Sequence, residues 1–233
     1  VVKIVNALSG SLEIGGPAAC AYLLGQDDHY TDRTFKVFHW RSYVYHARAA
    51  VRPILDEDED CEHPGDKVLL GHTAEGVVPL KKVNDYVYRP SYFQTWSLYD
   101  FLSRVDIRKR GAKSTSPPLS DGEEDTASFQ FTRGHPLRNT HAVHLRREKS
   151  SYVLNFVGGA LPRPDRGDRE EYCFVMLVLF APGGWRAGTD LRSSDLSWAD
   201  TFERTPFHPD HVRIMGHMNV MYECLDARDD FAA

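Results

Sequence analysis

The chain has 233 residues, 42% hydrophobic and 26% charged, with a formal net charge of −5. That length accommodates one large domain or two small ones and buries roughly 70% of the unfolded surface, enough for a substantial core. The composition is that of a globular protein, the net charge provides no global pull toward nucleic acid, and the apolar run Tyr172–Phe180 is far short of the ~18 residues a membrane span needs.

Taken in chain order, Glu13–Gly25 reads as a short helix, opened by Pro17 and ended by Gly25. Thr34–His46 is aromatic and β-branched, which predicts a strand or strand pair. The acidic run Asp56–Asp60, flanked by Pro53 and Pro64, reads as a solvated loop. Lys67–Val83 predicts a hairpin turning at Thr73–Gly76. Trp96–Val105 predicts a helix with Ser97 and Asp100 as its capping box, and Leu98, Phe101, Leu102 and Val105 on one face. Lys113–Ser128 has almost no large apolar residue and reads as a flexible linker between roughly equal halves.

Beyond it, His141–Leu145 and Tyr152–Val157 are expected to be extended. The turn Pro162–Gly167 leads to Asp168, which is placed to cap the run ending at Phe180, with Glu170 and Glu171 in the first turn. A helix buried nearly all round follows, stopped by Pro182, Gly183 and Gly184. Ser194–Arg204 is a further short helix. Pro209–Leu225 is a longer one, with Val212, Met215, Met218, Tyr222 and Leu225 as its stripe.

Motifs that suggest chemistry are weak when read for what the chemistry requires. Gly111–Thr115 (GAKST) imitates a phosphate loop, yet Ala112 and Ile107 stand where that loop needs glycine. His141 and His144 are three apart, so on a strand they point to opposite faces and cannot share an ion. His208 and His211 flank a helix start at Pro209, and Cys61 and His63 lie in the acidic loop without a second half of a site. No Gly-x-Ser-x-Gly elbow is present, and no cysteine has a placed histidine partner. The four cysteines form no Cys-x-x-Cys pair, which favours a reducing compartment. Basic residues gather at Arg104–Lys113, and again at Arg133, Arg138, Arg146, Arg147 and Lys149. Such groups either neutralise phosphates or form a solvated charged face.

Several strings together resemble Helitron-type transposon proteins of the fungal kind. They are NALSGSLEIGGPAACAYLLGQDDHYTDRTFKVFHWRSYV (residues 6–44), VNDYVYRP (83–90), WSLYDFL (96–102), NFVGGALPRPDRGDREEYCFVMLVLF (155–180), GTDLRSSDLSWADTF (188–202) and MYECLDARDD (221–230). The resemblance covers nearly the whole chain, and the order of the strings is more specific than any one of them. In that family a rolling-circle replication initiator nuclease precedes this segment and an ATP-dependent 5′→3′ DNA helicase follows it. The nuclease holds a divalent metal through two histidines at i and i+2, with tyrosine nucleophiles. Tyr86 and Tyr88 lack the tyrosine–lysine context of those nucleophiles. The phosphate loop of the helicase is expected beyond Ala233, and both termini, VVKIVNALSG and ECLDARDDFAA, read as cut from a longer chain. The chain departs from the family pattern at FAPGGWR, where Gly183 and Gly184 are interposed before Trp185; drift in a decaying element would produce such an insertion.

The expectation is therefore an α+β chain of mixed helices and short antiparallel strands. It is divided into residues 1–112, a linker at 113–128, and residues 129–233 with the buried core helix. The resemblance implies a non-catalytic connecting module of a Helitron-like transposase and DNA helicase, nuclear, with no cofactor of its own; ATP and the divalent metal belong to the flanking domains. The implied partners are the nuclease and helicase of the same polypeptide and single-stranded DNA, with no membrane. Arg108, Lys109, Arg110, Arg146 and Arg147 are the candidate DNA path, with Trp40, Tyr43 and Tyr45 available for stacking if exposed. The alternatives are an inactive truncated transposon remnant, and a metal-dependent enzyme using Cys61, His63, His141 or His144.

Overall fold

The structure is a computed structural model that describes residue 24 and residues 33–51, 69–73, 76–110, 127–147 and 151–231. The chain divides into two compact units, Val1–Thr34 and Phe35–Ala233, and the elements below all belong to the second. The expected helix at Glu13–Gly25, the acidic loop at Asp56–Asp60 and most of the linker lie outside the described residues.

The second unit mixes helices with short strands. Strand β1 (Phe35–His39) runs directly into helix α1 (Trp40–Ala49). Strands β2 (Leu69–Thr73) and β3 (Gly76–Leu80) form an antiparallel hairpin in which Leu69 faces Leu80. Helix α2 (Lys82–Val87) and a 3-10 turn (Ser91–Phe93) precede helix α3 (Leu98–Arg104). Then come β4 (Val105–Lys109), β5 (Ser128–Phe129), β6 (His141–Leu145) and β7 (Val153–Val157). Helix α4 (Arg169–Phe180), a 3-10 turn (Gly188–Leu191), α5 (Trp198–Arg204) and α6 (Pro209–Phe231) complete it. Among the described residues the antiparallel sheets are accompanied by one parallel pair, β1 with β7, which links residues on both sides of 113–128.

Thr34–His46 holds a strand only over Phe35–His39 and is helical from Trp40. The chain turns helical at Trp40 because Trp40, Tyr43, Val44 and Ala47, at i, i+3, i+4 and i+7, all bury on one side. Burial of that stripe overrides the β preference of its aromatic residues. The hairpin likewise ends at Leu80, short of Val83, because Val83 and Tyr86 bury one face of α2. In α3, Ser97 Oγ accepts from Asp100 N–H and donates to the Asp100 carboxylate, the capping box the sequence predicts. Val105 stays buried although it opens β4 rather than ending the helix.

Helix α4 is the centre of the core. Every residue from Tyr172 to Phe180 is buried, and the Asp168 side chain accepts from Glu170 N–H. Glu170 also accepts from the N–H groups of Trp198 and Ala199, so one carboxylate caps the neighbouring helix α5. At the far end the Trp185 indole donates to the Val178 carbonyl at 2.8 Å, satisfying an acceptor in the last turn. Trp185 is fully buried, so Gly183 and Gly184 have not displaced it from the core. In α6 the expected stripe holds at Met215, Met218 and Tyr222 and fails at Val212, which is 54% exposed while His211 is buried. The ring of His211 is held by Asp100 of α3 across a 3.0 Å hydrogen bond, which turns its neighbour Val212 outward. Among the described residues no helix is long and apolar enough to cross a membrane.

Candidate nucleic-acid interface

The candidate cations lie in or beside one three-stranded antiparallel sheet, in the order β4–β6–β5: Arg108 and Lys109 on β4, Arg110 just past it, and Arg146 and Arg147 just past β6. Alternation along a strand assigns its side chains to two faces. The inner face carries Val105, Ile107, Val143 and Phe129 toward the core. The outer face carries Asp106 opposite His144, Arg108 opposite Ala142, and Ser128 opposite His144.

Arg108 and Arg146 converge on the outer face, but onto a carboxylate. Arg108 lies 3.0 Å and Arg146 2.9 Å from Asp106 Oδ2, and the Tyr152 hydroxyl donates to Oδ1 at 2.8 Å. The Arg146 guanidinium also stacks over the Tyr152 ring at 4.1 Å. Lys36 approaches the same ring and donates to the carbonyls of Leu102 and Val105, where α3 ends. Burial pushes the Asp106 carboxyl up, but hydrogen bonds from Arg146 and Tyr152, with the Arg146 charge, outweigh it and hold it below the usual carboxylate range. Its contribution to stability is therefore complete above the unfolded value of about pH 4 and is lost as pH falls through the lower folded value. Asp106→Asn is expected to destabilise the protein at neutral pH and to flatten the loss of stability below about pH 4, read from urea midpoints against pH. Equal acid slopes in the two proteins would show that Asp106 carries no such linkage.

The other candidate cations are spread apart. Lys109 is exposed and, opposite His141, points to the other face of the sheet. Arg110 is exposed where the strand ends, its N–H donating to Thr140 O. Arg147 is exposed beyond the opposite end of β6, next to the start of β4. A pocket of about 310 Å³ opens at the Arg110 end, lined by Lys109, Arg110, Ser128, Phe129, Gln130, Ala142 and His144.

Of the aromatic residues named for stacking, Trp40 and Tyr43 are buried in the core and only Tyr45, 51% exposed, is open. The burial of their helix face removes the other two. Tyr92, 58% exposed and stacked on Phe129 at 4.6 Å between ring centroids, is an open aromatic that sequence reading missed. Asp106, Ser128 and Gln130 were missed as well. The one sequence signal was the lone acid within RVDIRKR, whose alternation places it beside Arg108.

His141 and His144 both lie on β6, on opposite faces as their spacing requires, since their partners Lys109 and Asp106 are themselves on opposite faces. His208 is exposed and His211 buried, so they do not form a ligand pair. His135 is occupied structurally: Leu137 N–H donates to its Nδ1 and Asp85 holds its Nε2 at 3.0 Å. Among the described residues no three His, Cys, Asp or Glu side chains gather as a metal site, and Cys61 and His63 lie outside them.

Comparison with family models, with curated proteins and with solved structures finds no match to this chain.

Proposed function

We propose that this chain is a non-catalytic connecting module of a Helitron-type nuclease–helicase protein, acting in the nucleus. Its work is to hold the nuclease and the ATP-dependent helicase in a fixed relation and to guide single-stranded DNA between them. The observation that carries this reading is where the resembling strings fall. VNDYVYRP supplies most of α2 and includes the buried Arg89, WSLYDFL supplies the cap and first turns of α3, and residues 155–180 include the core helix α4. These are the segments that build the packed framework, so the resemblance rests on residues under physical constraint. The exposed cations at the ends of the β4–β6–β5 sheet, Lys109, Arg110 and Arg147, are the positions offered to a strand's phosphates.

The test is the transcript on both sides of Val1 and Ala233. The expected result is a two-histidine nuclease motif upstream and a Gly-x-x-x-x-Gly-Lys-Ser/Thr loop downstream. Stop codons close to both ends would leave an inactive transposon remnant instead. The metal-enzyme reading would return only if the purified protein held stoichiometric zinc or manganese.

A further inference from the structure

On the outer face of the β4–β6–β5 sheet, the small side chain of Ala142 leaves a hollow between its taller neighbours. Ser128 stands opposite His144 on the adjoining edge strand, Gln130 follows two residues along on the same face, and Arg110 closes the end. The side chains rimming this hollow are a hydroxyl, an amide, an imidazole and a guanidinium, all of which donate hydrogen bonds. The acid on the same face, Asp106, has both oxygens engaged by Arg108, Arg146 and Tyr152, which leaves little negative charge to repel an anion. Among the described residues Arg110 has no carboxylate partner, so its charge is available at the mouth.

We propose that this hollow is a phosphate-binding site that seats one backbone phosphate of a single DNA strand, with Arg110 as the charged contact and Ser128, Gln130 and His144 as further hydrogen-bond donors. The assignment rests on the connector reading for the identity of the strand; the chemistry recognised is the phosphate group itself, whether in a strand or free. The pocket of about 310 Å³ has room for a sugar beside the phosphate. A diffuse cationic surface would not depend on the size of residue 142, whereas a seated phosphate does.

The experiment is anisotropy of a labelled oligothymidylate on the purified full chain across a salt series, with inorganic phosphate as competitor. Each seated phosphate contributes about 0.7 to the slope of log affinity against log salt. Arg110→Gln is expected to reduce that slope by about 0.7 and to weaken binding about tenfold at low salt. Ala142→Leu removes no charge but fills the hollow, and is expected to lower the slope equally. Arg169→Ala, which removes an exposed cation paired with Glu203, should leave the slope unchanged. Competition by millimolar inorganic phosphate alone, with no gain from the oligonucleotide, would assign the site to free phosphate. Binding of the oligonucleotide with both slopes intact in Arg110→Gln and Ala142→Leu would overturn the site and leave the connector reading standing. No binding of either probe at low salt would overturn the site too, while the transcript test of the connector would remain independent of it. Arg110 sits on an exposed turn, so its variant reports even if the larger side chain of Ala142→Leu disturbs folding.

Discussion

Replacing Arg89 by methionine is expected to remove about 4 kcal/mol of stability, lowering the melting temperature by about 10 °C. Arg89 is only 1% exposed, and among the described residues its guanidinium forms no ion pair within 4 Å, Asp190 acting on it only at longer range. It instead binds backbone carbonyls from separate parts of the chain: Nε to Phe93 O at 2.9 Å, Nη1 to Tyr86 O at 3.0 Å and Trp185 O at 2.7 Å, and Nη2 to Gln94 O at 2.6 Å. It also lies over the Tyr86 ring at 4.1 Å. Burial pulls the pKa of the guanidinium down from its ordinary value, but arginine remains charged at any working pH. Methionine keeps the length of the stem and removes the donor from the Trp185 and Gln94 carbonyls, at about 1–3 kcal/mol each, while Phe93 O and Tyr86 O keep the backbone N–H groups of Trp96 and Arg89. Lysine retains the charge on a single nitrogen that cannot reach a fan of acceptors, so Arg89→Lys should lose about half as much. Chemical denaturation of the three proteins measures this directly. A methionine variant within about 1 kcal/mol of the parent would show that other donors relax onto these carbonyls.

Gly184→Ala is the second large effect, at about 3 kcal/mol destabilising. Gly184 has φ +62°, the left-handed region that disfavours a side chain. A Cβ there would overlap the Trp96 carbonyl and come within 2.6 Å of Arg89 Nη2 and 2.9 Å of the Tyr86 hydroxyl. That hydroxyl donates to Trp96 O, and burial pushes its pKa up to about 12, so Tyr86 remains a neutral donor. The backbone approaches so closely because Trp185 must reach back under α4 while its carbonyl meets Arg89. Gly183 is the built-in control. A Cβ on it meets nothing within 4 Å and its φ is not positive, so Gly183→Ala should be neutral or stabilising by about 0.5 kcal/mol. Equal losses at the two positions would refute the close-approach account. Because Arg89 and Gly184 share this network, the double variant should lose less than the sum of the singles. Glycine is thus required by the local packing at 184, whereas 183 tolerates a side chain.

Much of the helical framework was legible in the sequence, for a local reason. Asp168 caps, Tyr172–Phe180 buries, and Pro182 with the following glycines stops the chain, all within a few turns of one helix. Ser97 and Asp100 announce α3 in the same way. The error at Thr34–His46 came from the same kind of signal read with the wrong period. Trp40, Tyr43, Val44 and Ala47 have helical spacing, but their aromatic and β-branched character points to a strand. The departure at the start of α6, where His211 is buried and Val212 exposed, has a different cause, since Asp100 on another element holds the His211 ring.

The candidate site was only partly legible. The basic stretches are plain in the sequence, yet their geometry depends on the pairing of β4 with β6, which sets Val105 against Leu145 and Lys109 against His141. That register alone sends Arg108 and Arg146 to Asp106, Lys109 to the opposite face and Arg110 to the rim of a hollow above Ala142. Short-range signals such as caps, period and stop residues act between neighbours in the chain, so the sequence by itself determined capped helices such as α3 and α4 and the mixed α and β class. Cross-strand partners, the acceptors around Arg89 and the parallel pairing of β1 with β7 join residues far apart in the chain. Only tertiary packing decided them, because a partner's identity is set by which surfaces are buried together and not by spacing along the chain.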